Sequence, residues 1–127
     1  MVDNKEELIN YRISRAKETI EEAQKAISEN HLHLAENRIY YSIFYYVTAL
    51  SLKFDFSTSK HKQLLGWFNM NFIKTGIINK EIGKIYYNAY ENRQSGDYDD
   101  MIYFVKDDVL KHYNDMLKFI NEIERIL

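Results

Sequence analysis

Two long stripes of apolar residues constrain the fold of this chain more than any other feature. Within each stripe, successive members stand alternately three and four positions apart, which places them on one face of an α-helix. The chain contains no proline and only four glycines, so little interrupts long helices. The N-terminal stripe is Ile9, Ile13, Ala16, Ile20, Ala23 and Ile27, and the C-terminal stripe is Ile102, Val105, Val109, His112, Met116, Phe119, Ile123 and Ile126.

Turn and capping residues divide the chain into five predicted helices. Gly96 is expected to break the fourth helix, and the acidic residues Asp97, Asp99 and Asp100 to cap the fifth. Helices of this kind are stable only when they pack on one another. The sequence therefore predicts one all-α domain over residues 1–127, an up-down helical bundle of four main helices and a shorter one. The predicted helices run from Asn4 to about Asn30, His31 to Phe54, His61 to Thr75, Asn79 to about Asn92, and from the acidic residues after Gly96 to the C-terminus.

Composition excludes several classes of protein. The absence of cysteine rules out disulfides, thiolate metal sites and a cysteine nucleophile. The N-terminal residues lack the basic start and apolar run of a signal peptide. The longest uncharged stretch, residues 39–52, is shorter than the roughly 20 residues that span a bilayer. We therefore expect a cytoplasmic protein that does not associate with membranes.

Two Asn-Arg pairs interrupt otherwise apolar helical segments, at Asn37-Arg38 and Asn92-Arg93. A charged side chain is rarely buried unless it is paired or functional, so each arginine is either half of a structural ion pair or part of an anion site. Residues 31–90 carry a net charge of about +4, whereas the segments before and after carry about −2 and −4. This distribution favours a phosphate ligand or an acidic partner, or else packing of acidic terminal helices on a basic middle.

Two neighbourhoods of the sequence are candidates for such an anion site. Arg38 and Tyr41 lie three positions apart and share a helix face that can line a cleft. His61 stands between Lys60 and Lys62 at a predicted helix start, where the helix dipole favours anions. An exposed, purely polar first turn is the alternative interpretation of His61.

Common enzyme signatures are absent from the sequence. There is no glycine-rich phosphate loop, nucleophile elbow or zinc-protease motif. His31 and His33 stand two positions apart and would point in different directions on a helix, so neither a metal site nor a cofactor is predicted. His112 lies on an apolar stripe, where a packed histidine is expected rather than a ligand.

Four motifs occur in order along the chain: Asn37-Arg38-x-x-Tyr41-x-x-Phe44, Ser59-Lys60-His61, Phe72-Ile73-Lys74-Thr75-Gly76 and Arg93-x-x-x-Asp97-Tyr98-Asp99. Together they resemble the pattern of small HEPN domains, the "higher eukaryote and prokaryote nucleotide-binding" helical bundles. The resemblance implies a bundle of four or five helices, usually a homodimer, paired with a minimal nucleotidyltransferase as toxin and antitoxin. Many such proteins are metal-independent RNases in which a histidine moves the 2′-hydroxyl proton and an arginine stabilises the phosphorane.

The chain departs from the family's Arg-x4-6-His motif. Tyr98 occupies the histidine's place after Arg93, and a tyrosine is a poor general base at neutral pH. His61 can replace that histidine only if the fold brings it near Arg93. The tyrosine that some family members carry for modification by the partner corresponds here to Asp100.

The resulting hypothesis is a HEPN-like component of a toxin–antitoxin pair that binds RNA or nucleotide phosphate, with weak metal-independent RNase activity left open. A non-catalytic helical protein-interaction module is the alternative. With eleven tyrosines, seven phenylalanines and a tryptophan in so small a chain, we also expect a homodimer. The candidate catalytic residues are Arg93 and His61, the candidate phosphate-binding residues are Arg38, Lys60, Lys62 and Arg93, and the candidate cleft-lining residues are Tyr41, Asp97 and Tyr98.

Overall fold

The computed structural model describes residues 4–99 and 101–127, and in them the chain forms five α-helices and no strand. This confirms the predicted all-α fold. None of the helices in the described ranges has the length and apolar character needed to cross a membrane. The helices are α1 (Asn4–Ser28), α2 (Leu32–Lys53), α3 (His61–Phe68), α4 (Lys80–Tyr98) and α5 (Lys106–Ile126).

Helix α2 is the centre of the bundle, because it contacts each of the other four helices. Its side chains are apolar nearly all round, as expected of a helix that is covered on most faces. Helix α1 packs along α2 through alanines, which let the two backbones approach closely. The fully buried residues at this interface and at the centre of the core include Ala16, Ala23, Ala35, Ile43, Val47 and Leu50.

The third helix is shorter than the sequence predicts. Its α-helical part ends at Phe68 and continues as a π-helical segment, Asn69–Ile73, in which the Lys74 amide donates to the Asn69 carbonyl at 2.9 Å. Gly76 then adopts a positive φ of 79°, the left-handed conformation in which a glycine commonly ends a helix.

Gly96 does not break the fourth helix, so that prediction is wrong. Helix α4 begins after Asn79, whose side chain caps it by accepting the Glu81 amide, and continues through Gly96 to Tyr98. A Cβ at position 96 would lie 2.9 Å from Cε2 of Phe104. The glycine therefore permits close packing of the Phe104 ring on the helix. The sequence alone does not show that Gly96 contacts Phe104.

The predicted start of the fifth helix is also wrong. Asp99 follows α4 and forms a turn, since its side chain accepts the Met101 amide at 2.9 Å and its carbonyl accepts the Ile102 amide at 3.2 Å. Asp100 lies outside the described residues, and its capping role stays a prediction.

Helix α5 begins at Lys106 and carries its acidic first turn at Asp107 and Asp108, next to its own N-terminus. The first two members of the C-terminal stripe, Ile102 and Val105, precede the helix. The rest of the stripe faces the bundle, and its fully buried members are Val109, Met116, Phe119 and Ile123.

Candidate anion-binding site

Arg93 lies at the centre of a polar cluster between α2 and α4. Its side chain is 14% exposed, and its Nε stands 2.9 Å from Oδ2 of Asp97, one turn further along α4. That contact is an ion pair without hydrogen-bond alignment, since the buried Nε–H has no aligned acceptor. Nη2 donates to the Tyr41 hydroxyl at 3.3 Å. Nη1 has no hydrogen-bond partner among the described residues, which leaves one guanidinium nitrogen for a ligand.

Three tyrosine rings surround the Arg93 guanidinium. The Cζ atom lies 5.7, 5.4 and 5.8 Å from the ring centroids of Tyr40, Tyr41 and Tyr98, respectively. At such distances the negative ring faces attract the cation. Tyr40 is fully buried and Tyr98 is 75% exposed, so the rings extend from the core to the surface. Tyr98, which replaces the family's histidine, thus lies beside Arg93.

Arg38 adjoins the same cluster from α2. Its Cζ lies 5.3 Å from the Tyr41 ring centroid, and its Nη1 forms a 3.1 Å ion pair with Glu22 on α1. Its Nε and Nη2 donate to Oδ1 of Asn37 at 3.0 and 2.7 Å. Asn37 in turn donates to Oδ2 of Asp97 at 3.1 Å. The two arginines predicted from the sequence are therefore joined through an amide and a carboxylate.

His61 joins this cluster from the start of α3. Its Nδ1 is 2.7 Å from the Tyr40 hydroxyl, and its ring stacks on Phe44 with a centroid distance of 4.3 Å. It lies 5.6 and 5.7 Å from the centroids of Tyr40 and Tyr41, the same two rings that Arg93 contacts. The fold therefore places His61 near Arg93, as a substitute base requires.

The protonation state of His61 is set by these surroundings. Burial lowers the pKa of His61, and the positive charge of Arg93 lowers it further. Burial also raises the pKa of Tyr40 well above its usual value, so the Tyr40 hydroxyl keeps its proton. A neutral imidazole next to a neutral phenol is the state expected at neutral pH.

Lys60 and Lys62 flank His61 in sequence, and both are exposed. Neither ammonium group forms an ion pair or hydrogen bond with any described residue. The polar loop before α3 is fixed instead by Thr58, whose hydroxyl accepts the Lys60 amide and bonds Gln63. Phosphate binding by the two lysines stays a prediction.

The sequence analysis did not select Tyr40, whose hydroxyl contacts His61 and whose ring lies beside Arg93. Tyr40 is one of eleven tyrosines and stands in an aromatic run, where nothing in the sequence separates a packed ring from one that positions a histidine. The role of Asn37 was also hidden, although its place beside Arg38 drew attention to the segment. Its partner Asp97 lies sixty positions away.

A second polar pair lies on another side of α2. Glu36 is only 2% exposed, and both of its carboxylate oxygens approach Nδ1 of His112, at 2.9 and 3.1 Å. The hydrogen bond to Glu36 raises the pKa of His112, although burial acts in the opposite direction. His112 therefore packs at the edge of the bundle with Nδ1 partnered by Glu36 and 29% of its side chain exposed, which agrees with the packed histidine that its place on the apolar stripe predicts. Across the described ranges, no group of three or more potential metal ligands comes together.

The match to known proteins covers the cluster and nearly the whole bundle. A model of the HEPN domain matches residues 9–126. The chain belongs to the HEPN family. It is 39% identical over 126 residues to a UPF0332 protein of Thermotoga maritima, covering 99% of this chain and 96% of that protein.

Two similar proteins of Methanocaldococcus jannaschii carry the names "Putative toxin MJ0142" and "Putative toxin MJ0605". The first is 32% identical over 117 residues, which cover 91% of this chain and 78% of that protein. The second is 34% identical over 77 residues, which cover 60% of this chain and 58% of that protein.

Proposed function

We propose that this HEPN chain is one component of a toxin–antitoxin pair and binds RNA through phosphate contacts at Arg93 and Arg38. The toxin names of two relatives support the first part. The observation that carries the second is Nη1 of Arg93, which has no partner among the described residues in an otherwise occupied cluster. A guanidinium with a free N–H pair is a strong donor to a phosphate oxygen.

The surroundings of Arg93 suit a flexible strand of RNA. Exposed aromatic rings stack unpaired bases with little regard to sequence, and Tyr98 offers such a ring at the mouth of the cluster. Asn37 and Asp97 hold the two arginines in place before any ligand arrives, which reduces the ordering cost of binding. Asp97 also offsets part of the positive charge, so we expect modest affinity with a clear dependence on salt.

His61 and Arg93 together supply the groups for a weak metal-independent cleavage. In that reaction the 2′-oxygen attacks phosphorus, the bond from phosphorus to the 5′-oxygen breaks, and a 2′,3′-cyclic phosphate remains. Nε2 of His61 would take the 2′-hydroxyl proton, with water as the source of the proton for the leaving 5′-oxygen. This role needs the tautomer in which Nδ1–H donates to the Tyr40 hydroxyl. Arg93 would stabilise the charge that develops on the phosphoryl oxygens.

The test is the effect of Arg93→Gln on binding of a short unstructured RNA, measured by fluorescence anisotropy. Loss of a charge-assisted phosphate contact should weaken binding by roughly 1 to 3 kcal/mol. Arg125→Gln is the matched control, because Arg125 is an ion-paired arginine on α5, away from the cluster. Unchanged binding by Arg93→Gln would contradict the proposal, and so would a variant that unfolds, which would mark Arg93 as half of a structural ion pair.

We further propose that residues 1–127 act as one domain in the cytoplasm, as a homodimer paired with a minimal nucleotidyltransferase. Support for a dimer comes from the exposed apolar side chains between α4 and α5, where Met101 and Tyr103 are 77% and 83% exposed. Light scattering at tens of micromolar should give twice the monomer mass. A single species at monomer mass in that measurement would contradict the dimer. A neighbouring gene that does not encode a nucleotidyltransferase would favour the alternative, a protein-interaction module.

A further inference from the structure

One face of α3 and of the π-helical segment after it is exposed, apolar at its centre and basic at its ends. Its four members stand four positions apart, so they form a row along the helix surface. The centre of the row is Gly66 and Met70, and Met70 is 62% exposed. The ends are two exposed lysines, Lys62 and Lys74. We call this row the α3 face.

No contact within the described chain requires a glycine at position 66, in contrast to the other three glycines. Gly76 has the positive φ of a turn, and a Cβ at Gly83 or Gly96 would lie 2.7 or 2.9 Å from a neighbouring side chain. A Cβ at Gly66 would meet no described atom within 4 Å. Glycine weakens a helix interior but lets another backbone approach closely, so Gly66 is suited to a contact made from outside.

The apolar groups that border the α3 face suit packing against a helix. Ile77, just beyond Lys74, is 52% exposed. Trp67 is partly buried, and its ring stacks on Phe56 with a centroid distance of 5.3 Å, so one of its faces is already covered. The exposed groups are therefore mainly aliphatic and thioether. Methionine is a frequent residue in grooves that accept a partner helix, because its flexible side chain adapts to different shapes.

The segment that carries the α3 face is basic. Residues 56–80 contain four lysines and neither aspartate nor glutamate, although the whole chain has a net charge of −2. Lys62 and Lys74 form no ion pair with any described residue, whereas Lys84, the next lysine after this segment, pairs with Glu81 at 3.4 Å. Unpaired lysines at both ends of an apolar centre complement a ligand that is apolar at its centre and acidic at its edges.

We propose that the α3 face docks an acidic amphipathic α-helix of a partner protein. The apolar stripe of that helix packs on Met70, and its backbone passes closest at Gly66. Carboxylates beside the stripe lie next to Lys62 and Lys74. Lys62, which the sequence predicted as a phosphate ligand, thus has a carboxylate as its partner. This inference goes beyond the proposed function, which rests on the Arg93 cluster.

The experiment adds a designed helical peptide to protein with isotope-labelled methionine methyl groups. The peptide carries leucines along one stripe and glutamates at its other positions. The signal of Met70 should shift, whereas those of Met101, which is 77% exposed before α5, and of the fully buried Met116 should stay in place. A peptide with lysines instead of glutamates should bind about tenfold more weakly or less, because its charge is reversed.

Two variants test the centre and the edge of the α3 face separately. Gly66→Gln fills the point of closest approach and should weaken peptide binding by about tenfold or more, while the better helix former preserves the melting temperature. Lys74→Glu reverses a charge at the edge and should also weaken binding. Lys17→Glu is the matched control, because Lys17 is an exposed lysine of α1, which packs on α2 and α5. Thermal unfolding of each variant checks that the fold is intact.

RNA is the other ligand that a basic face can attract. A short unstructured RNA should leave the Met70 signal in place, and Arg93→Gln should leave peptide binding unchanged, so failure of the α3 face and failure of the Arg93 site are distinguishable. The proposal is overturned if millimolar peptide leaves Met70 unmoved, if Gly66→Gln and Lys74→Glu bind the peptide as well as the unaltered chain, or if RNA displaces the peptide.

Discussion

Polar groups lie on two sides of helix α2, and the two sides differ in whether their charged groups all find partners within the described chain. On one side, Glu36 is almost fully buried and both of its carboxylate oxygens contact His112. On the other side, Arg38 of α2 and Arg93, which reaches it from α4, are held by Asn37 and Asp97, yet one nitrogen of Arg93 has no partner in the described chain. The first arrangement pairs its groups internally, whereas the second keeps one nitrogen of Arg93 unpaired and is where we propose that an anion binds.

We therefore regard the Glu36–His112 pair, between α2 and α5, as structural and the Arg93 cluster, between α2 and α4, as the proposed binding site. A buried pair whose groups satisfy each other contributes through the high cost of breaking it. In the Arg93 cluster the side chains of Arg93 and Asp97 are 14% and 27% exposed, and one guanidinium nitrogen has no partner among the described residues, so we propose that this cluster has capacity left for a ligand. We therefore expect substitutions on the Glu36 side to change folding and substitutions on the Arg93 side to change binding.

The largest effect is expected from His112→Ala, which leaves the Glu36 carboxylate buried without its partner. Loss of one member of a buried pair costs about 3 to 5 kcal/mol, so the free energy of unfolding measured in urea should fall by that amount at pH 7. His31→Ala is the control: its side chain is 61% exposed, and we expect a change within about 0.5 kcal/mol. If His112→Ala lowers the free energy of unfolding by less than about 1 kcal/mol, the Glu36–His112 pair does not have the structural role that we assign to it.

The next largest effect is expected at the Arg93 cluster, where Tyr98→His should increase RNA cleavage. Tyr98→His restores the family's arginine-to-histidine spacing, and its ring would lie beside Arg93 as the Tyr98 ring does now. A positioned general base contributes about a hundredfold or more, so RNA cleavage in EDTA should rise by that order. Tyr98→Phe, which has no proton to exchange, is the control. Equal cleavage by the two variants would show that position 98 does not reach the reacting phosphate.

The sequence predicted the helices well where periodic burial determines them. The stripe of α1 and the later part of the C-terminal stripe face the core as expected, because packing enforces the spacing of residues such as Ala16 and Phe119. The errors cluster at Gly96 and Asp99. There the outcome depends on a tertiary contact with Phe104 and on a local turn, neither of which leaves a periodic signal.

The candidate site was predictable in part for the same reason. Arg38, Tyr41, Arg93 and Tyr98 could be selected because charged and aromatic groups stand out in apolar helices, and the structure brings them together. Pairing across the fold was not predictable, since Asn37 and Asp97, or Glu36 and His112, are separated by sixty positions or more. Only the packing of α4 and α5 on α2 brings those partners into contact.

The smallest effect is a pH dependence of stability in which the two sides oppose each other. The pKa of His112 is raised on folding, so its contribution is fully present below about 6.5, its unfolded value, and is lost as pH rises through the folded pKa. The pKa of His61 is lowered on folding, so the folded state binds fewer protons there, and stability is lost as pH falls below about 6.5. Between pH 5.5 and 8, a range set by these reference values, stability should therefore be greatest near the middle.

Two variants separate these contributions. Glu36→Gln keeps the shape of the buried group but removes the charge that raises the His112 pKa, so the decline at higher pH should disappear. His61→Gln should remove the decline at lower pH, because no imidazole is then left to become charged beside Arg93. Urea unfolding across this range, together with histidine titration by NMR, measures both. If Glu36→Gln instead removes the loss of stability at low pH, the pKa shifts of His112 and His61 have been assigned in the wrong directions. The Glu36–His112 pair would then no longer count as structural.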